Sequence, residues 1–409
     1  MKHLSLWISV VALALAAAAC GIFDPEGTNP YKPLKLDTKS AEYARKGNAF
    51  SFEFIDRINS VENGDFIISP LSMQFLLGLL LNGAQGQTAE EISRVLGYGA
   101  GETAAVNEYC LAMMQQLPDL DKKTKLAIAD AIFVNKNYPI LDSYKNSVGK
   151  YYLAEVANLD FSNKTSSLNA INGWCSRNTN KMIPKVLDDV NPNELAYLLN
   201  ALYFKSEWQD KFPKGNTAEA SFTAESGKVR KVPMMKTNGH YPYQDNDDFR
   251  AVRLTYGNGA YSMMVILPAE GKKLFDVTAA LRRTDWDAFV RSMVGCEVDM
   301  WLPKFETKYS KKLNQLLSDM GMPSSFDPVK ADFKAMSEYA MCLEFVKQDA
   351  IIKVDEEGTE AAAVSMAGMM PTAAAPGQHI VFHADRPFLY LITESSTGAV
   401  LFAGKYCGK

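Results

Sequence analysis

Histidine is scarce in this chain, at four residues in 409, and that scarcity removes most hydrolytic chemistry at the outset. A nucleophilic hydrolase needs a Ser, a His and an acid within reach of one another, often with the Ser on a G-x-S-x-G elbow. No such elbow occurs, and His3 lies in a segment read below as cleaved. His379 and His383 are four apart, a zinc spacing on a helix. They bracket the alternating run His379-Ile380-Val381-Phe382-His383, however, which is strand-like and lacks the Glu of H-E-x-x-H. Asp245, Asp247 and Asp248 lack the Gly and distal Glu of a calcium loop and read as a polar loop. G-x-x-x-x-G-K-[ST] is absent, so phosphate has no cradle. The sequence predicts no metal, no cofactor and no catalysis.

A dominant charge is missing as well. With 43 basic and 47 acidic side chains the net charge is −4, which excludes the basic face of a nucleic-acid binder. The small cluster Lys122, Lys123 and Lys125 reads as a solvated loop rather than a polyanion site. Among six cysteines no pair has C-x-x-C spacing. The one apolar run of note, Leu4 to Leu15, is too short and Ala-rich to span a membrane. Behind Lys2 and ahead of Ala16-Ala17-Ala18-Ala19-Cys20 it reads as a secretory signal, residues 1–19. Small residues ending in Cys20-Gly21 resemble a bacterial lipobox, although Ala17 stands where that motif prefers Leu. That resemblance implies acylation of Cys20, with residues 20–38, rich in Pro, as a tether. Cys110, Cys175, Cys296, Cys342 and Cys407 remain, an odd set that leaves at least one thiol free unless it pairs between molecules, and most of them read as buried small hydrophobes.

Ser69 can cap a helix with Pro70 in its first turn, and Phe75 and Leu79 make that helix apolar all round, as for a core helix. Thr88-Ala89-Glu90-Glu91 reads as a capping box for the next helix. Leu168, Ile171, Cys175 and Met182 mark one face of a later one. Leu195 to Phe204 reads as a central strand buried on both faces, and Tyr261 to Leu267, Val298 to Leu302 and Ala399 to Lys405 as further strands. Helices come mostly early and strands mostly late, which predicts an α+β fold.

One segment stands out: Val354-Asp355-Glu356-Glu357-Gly358-Thr359-Glu360-Ala361-Ala362-Ala363-Val364-Ser365. By composition alone it is a flexible linker. Its position says otherwise, because Phe382 to Ile392 and Thr397 to Phe402 follow as two apolar strands joined by a turn. The domain therefore closes on itself after an exposed loop over about residues 358–378, and loops of that length are usually functional. Other motifs stand in order from Ser40 to Lys409. They are Ser69-Pro70-Leu71-Ser72-Met73, Asn82-Gly83-Ala84-Gln85-Gly86-Gln87-Thr88, Ile171-Asn172-Gly173-Trp174 and Asn200-Ala201-Leu202-Tyr203-Phe204-Lys205 with Trp208. Leu302-Pro303-Lys304-Phe305, Met320-Gly321-Met322 and Ala331-Asp332-Phe333 complete the series. Together they resemble the serpin family, with the loop matching its reactive-centre loop.

The resemblance implies three sheets, about nine helices and a serpin domain over residues 39–409. It implies a suicide inhibitor of serine proteases whose cleaved loop inserts as an extra strand of the large sheet. A non-inhibitory carrier is the alternative, and such members tend to have bulky or charged inward hinge residues. Strand alternation places Thr359, Ala361, Ala363 and Ser365 inward, all small, and Glu360, Ala362 and Val364 outward. Glu357 and Gly358 lead into this hinge. The family's spacing from Gly358 puts the scissile bond at Thr372-Ala373, behind Met369-Met370-Pro371. Thr372 after Pro suits elastase-like proteases. Cleavage at Met370 or Met369 instead suits a chymotrypsin-like or wider pocket, and subtilisin-like and cysteine proteases are further candidate targets. The sheet-opening region maps to Ser69, Ser72, Asn200 and Trp208, with Gln348 where the family usually carries His. Gln can donate and accept at once, so the network is expected to survive without the His pH response. The expected form is a lipid-anchored monomer of the bacterial envelope, on the outer membrane or cell surface, or else secreted.

Overall fold

The computed structural model describes residues 29–359 and 379–408. Cys20, Glu360 to Ser365, and the bonds at Met369, Met370 and Thr372-Ala373 lie outside the described residues. Among the described residues are nine α-helices. They are α1 (Thr38–Val61), α2 (Pro70–Leu81), α3 (Gly86–Val95), α4 (Thr103–Gln116), α5 (Asp142–Tyr151), α6 (Lys164–Asn178), α7 (Leu274–Leu281), α8 (Trp286–Ser292) and α9 (Asn314–Met320). The strands are β1 (Phe66–Ile68), β2 (Lys125–Asn135), β3 (Glu155–Leu159), β4 (Ala196–Glu207), β5 (Ala218–Thr223), β6 (Val229–Asp245), β7 (Phe249–Tyr256) and β8 (Tyr261–Pro268). Then come β9 (Val294–Pro303), β10 (Phe305–Lys312), β11 (Lys347–Asp355), β12 (Gly358–Thr359), β13 (His379–His383), β14 (Phe388–Glu394) and β15 (Val400–Tyr406).

The α+β fold with three sheets is the one expected, although two of the sheets share a ladder. The large sheet runs β10-β11-β12-β4-β2-β3. The other two join into one nine-stranded sheet because β6 is long enough to serve both, pairing with β5 and β9 over most of its length and with β7 at its end. His379 to His383 form a strand parallel to β9, as their alternation predicts.

Helix α2 forms as read. The Ser69 hydroxyl accepts from Ser72 N–H at 3.2 Å, Pro70 occupies the first turn, and every residue from Pro70 to Leu81 is buried. The expected capping box at Thr88 is wrong. Helix α3 already starts at Gly86, and Thr88 and Glu91 are used for tertiary clamps. The Thr88 hydroxyl accepts from Asp332 N–H at 2.9 Å, and the Glu91 carboxylate accepts from the N–H and hydroxyl of Ser324 at 2.9 and 2.8 Å.

Strand β4 also departs from expectation, alternating buried with half-buried residues. Tyr197, Leu199 and Ala201 pack in a core with Ile171 and Trp174 of α6, whereas Leu198 and Leu202 face the main core and stay partly open. Within the segment read as a tether, residues 34 and 35 lie against the body. Leu34 is buried, and Lys35 exchanges both backbone hydrogen bonds with Gln116, at 2.9 and 3.1 Å. Leu34 finds an apolar seat on the body that tether composition does not reveal.

Candidate functional site

Strands β4 and β11 are the two walls of a slot. Between them sits only β12, two residues long, with Thr359 opposite Ser206 and Val354, and Gly358 opposite Glu207 and Asp355. Among the described residues, β4 and β11 share no ladder beyond it. Their facing edges are a template for one more strand, since unpaired backbone N–H and C=O groups recruit chain that can pair with them.

The expected exposed loop is therefore corrected at its start. Glu357, Gly358 and Thr359 are all buried, Thr359 at 2% exposed, and the last two belong to the sheet. Gly358 is required at its position. Its φ of +155° disfavours any side chain, and a Cβ there would clash with the Ser206 carbonyl oxygen. The Thr359 hydroxyl meets the Tyr256 hydroxyl at 2.5 Å.

Trp208 closes the top of the slot. Its N–H donates to Glu357 O at 2.8 Å, its indole Nε1–H donates to Asp355 O at 2.9 Å, and its ring stacks on Tyr256 at 4.4 Å. Two buried acids hold the approach to the hinge. Glu357 accepts from Lys211 at 2.7 Å and Lys214 at 2.8 Å, which keep its carboxyl below the usual range. Glu356 accepts from Lys304 and Thr217, each at 2.9 Å. Burial pulls the Glu356 pKa up, but these hydrogen bonds outweigh it and leave it lowered. Lys211, Lys214, Lys304 and Tyr256 were missed, because each lies far in sequence from the hinge it holds.

A second constellation straddles the slot farther down, at the first turn of α2. On the β11 side, Gln348 Oε1 accepts from Ser69 N–H at 3.0 Å and its Nε2 donates to Ser69 O at 2.9 Å. On the β4 side, the Ser72 hydroxyl donates to Asn200 Oδ1. Asn200 Nδ2 in turn donates at 2.7 Å to Asp130, its register partner on β2. One helix N-terminus thus grips both walls. The structure brings Ser69, Ser72, Asn200 and Gln348 together here, while Trp208 stands apart at the top. Asp130 was missed, because in Ala127-Ile128-Ala129-Asp130-Ala131 it reads as an ordinary polar strand position.

Cys110, Cys175, Cys296 and Cys342 are free thiols, the first three of them buried. No cluster of metal ligands occurs among the described residues.

A family model described as Serpin (serine protease inhibitor) matches residues 45–408. A serpin-like protein of Thermococcus kodakarensis is 32% identical over 88% of this chain and 84% of its own length. The leukocyte elastase inhibitor of Xenopus tropicalis is 32% identical over 87% of this chain and 97% of its own. The native-state crystal structure of the thermophilic serpin tengpin superposes with a TM-score of 0.82 at 28% identity, covering 94% of this chain and 98% of that one. A slot walled by β4 and β11, a hinge seated at its top and a match along nearly the whole described body make this chain a member of the serpin family.

Proposed function

We propose that this protein is a suicide-substrate inhibitor of serine proteases, with elastase-like enzymes preferred. The observation that carries the reading is the slot, whose walls, among the described residues, share no ladder beyond Thr359, together with the small residues Ala361, Ala363 and Ser365 that alternation puts inward next. The protease serine attacks the Thr372 carbonyl, an ester forms, and the Ala373 amine leaves. Water would ordinarily hydrolyse that ester. Freed at one end, the loop instead continues β12 down the slot and carries the acylated protease with it, and distortion of the protease's active site then stops deacylation. Each backbone hydrogen bond added contributes about 1 kcal/mol net, so about ten of them supply a substantial driving force before packing is counted.

The name of the Xenopus relative and the Pro371-Thr372 pair both favour elastase-like targets. Lipidation at Cys20 would hold the inhibitor on the bacterial envelope, where it meets proteases at the surface. Incubation with an elastase-like protease is expected to give an SDS-resistant complex and a released fragment that begins at Ala373. Rapid cleavage without complex, across elastase-, subtilisin- and chymotrypsin-like enzymes, would sink the inhibitory reading and leave the carrier one. A fragment beginning after Met370 or Met369 would move the reactive bond.

A further inference from the structure

Asp130 has no place in the mechanism above, yet it is the least comfortable group in the large sheet. It is 2% exposed on β2. Oδ1 accepts from Asn200, and Oδ2 is buried without a hydrogen-bond partner. The groups that face it from the surrounding elements are Asn200 of β4, Cys110 of α4, Tyr144 of α5 and Tyr152 just beyond α5. None carries a positive charge. An ionised carboxylate in that setting loses its hydration without gaining a counter-ion, which is strongly unfavourable. The position matters because Asp130 holds Asn200, and Asn200 is the link from β4 to Ser72. Opening the slot separates β4 from β11, so it strains either this link or the Gln348–Ser69 pair on the other wall.

We propose that Asp130 is a proton-operated catch on sheet opening: neutral, it lets the closed sheet stand, and ionised, it drives β2 and β4 away from the helices that bury it. Burial pushes its carboxyl up to about 7 from an ordinary 3.8, against the lowering effect of the Asn200 hydrogen bond. A pKa raised in the closed state makes closure fully stable below 3.8 and progressively weaker as pH rises to about 7, above which the loss is complete. The sheet is thus held shut in mild acid and eased at neutral or alkaline pH. The proposal rests on the insertion reading for its consequence, faster loop insertion at higher pH, but the catch itself is a property of the uncleaved protein.

The test is amide hydrogen exchange across β2, β4 and β11 in the intact full-length chain, with wild type compared with Asp130→Asn from pH 5.5 to 8. Asn keeps the size and an acceptor for Asn200 but cannot ionise. After correction for the intrinsic pH dependence of exchange, the wild-type opening constant relative to the variant is expected to rise by about tenfold or more over that range. A ratio that stays constant overturns the proposal. Should Asp130→Asn fail to fold, Asp130→Ser gives the same comparison. No protease enters this measurement, so its failure and a failure to trap proteases are separate results.

Discussion

Thr359→Arg is expected to turn the inhibitor into a substrate: the loop is still cut, and the SDS-resistant complex disappears. Thr359 is 2% exposed, enclosed by Ser206 and Val354 on the flanking strands and by the Tyr256 hydroxyl. A guanidinium there has no acid waiting for it, since the Glu356 and Glu357 carboxylates are already engaged by lysines. Burying it unpaired costs about 3–5 kcal/mol. Because Thr359 is seated in the sheet before cleavage, an Arg there leaves the slot in the uncleaved protein. Re-seating it during insertion adds that cost to the barrier and slows insertion about a hundredfold or more, so that hydrolysis of the ester wins the race. Glu360→Arg is the control. Residue 360 lies beyond the described residues, but strand alternation puts it on the outward face, so inhibition should be nearly unchanged. The readout is the stoichiometry of inhibition, which should climb more than tenfold for Thr359→Arg alone. Equal stoichiometry for both variants would mean that the register, or the inserted strand itself, is wrong.

Thr372→Arg is expected to redirect the protein from elastase-like to trypsin-like proteases. No Lys or Arg lies between Gly358 and Asp385, so the present loop offers a trypsin-like pocket nothing to pair with. An Arg at the reactive position supplies a guanidinium for the buried carboxylate of such a pocket, a bidentate, charge-assisted contact. Sites built to pair a polar group discriminate by about 10⁴ or more between substrates that have it and those that lack it. Association with a trypsin-like enzyme should therefore rise by about three orders of magnitude or more, while the elastase-like rate falls steeply. Trapping of the elastase-like enzyme at an undiminished rate by the variant would show that Met370 or Met369, and not Thr372, is the reactive residue.

The two regions of the slot were unequally legible in the sequence. Helix α2 followed from Ser69, Pro70 and a mostly apolar run through Leu81, because capping and hydrophobic patterning are local properties. The grouping of Ser69, Ser72, Asn200 and Gln348 came through family resemblance, and Gln348 fills its place with both side-chain groups given to the Ser69 backbone. Resemblance did not disclose that Gly358 and Thr359 are already strand. Their seating depends on Tyr256, on Trp208 and on Lys211, Lys214 and Lys304, residues distant in sequence whose convergence no local pattern records. Asp130 was hidden for the same reason. Its neighbours Cys110, Tyr144 and Tyr152 come from in and around α4 and α5, far off in sequence, and a strand pattern shows alternation without showing what covers it. The Thr88 capping box failed in the opposite sense: the local motif was present, and tertiary partners at Ser324 and Asp332 claimed its side chains.

The insertion mechanism is tested most directly by heating the protein before and after its loop is cut by a protease that it does not trap. If the freed loop extends β12 between β4 and β11, about ten new backbone hydrogen bonds at about 1 kcal/mol each, with added packing, should raise the unfolding midpoint by about 10 °C or more. A midpoint unchanged by cleavage would contradict insertion, whatever protease the loop attracts.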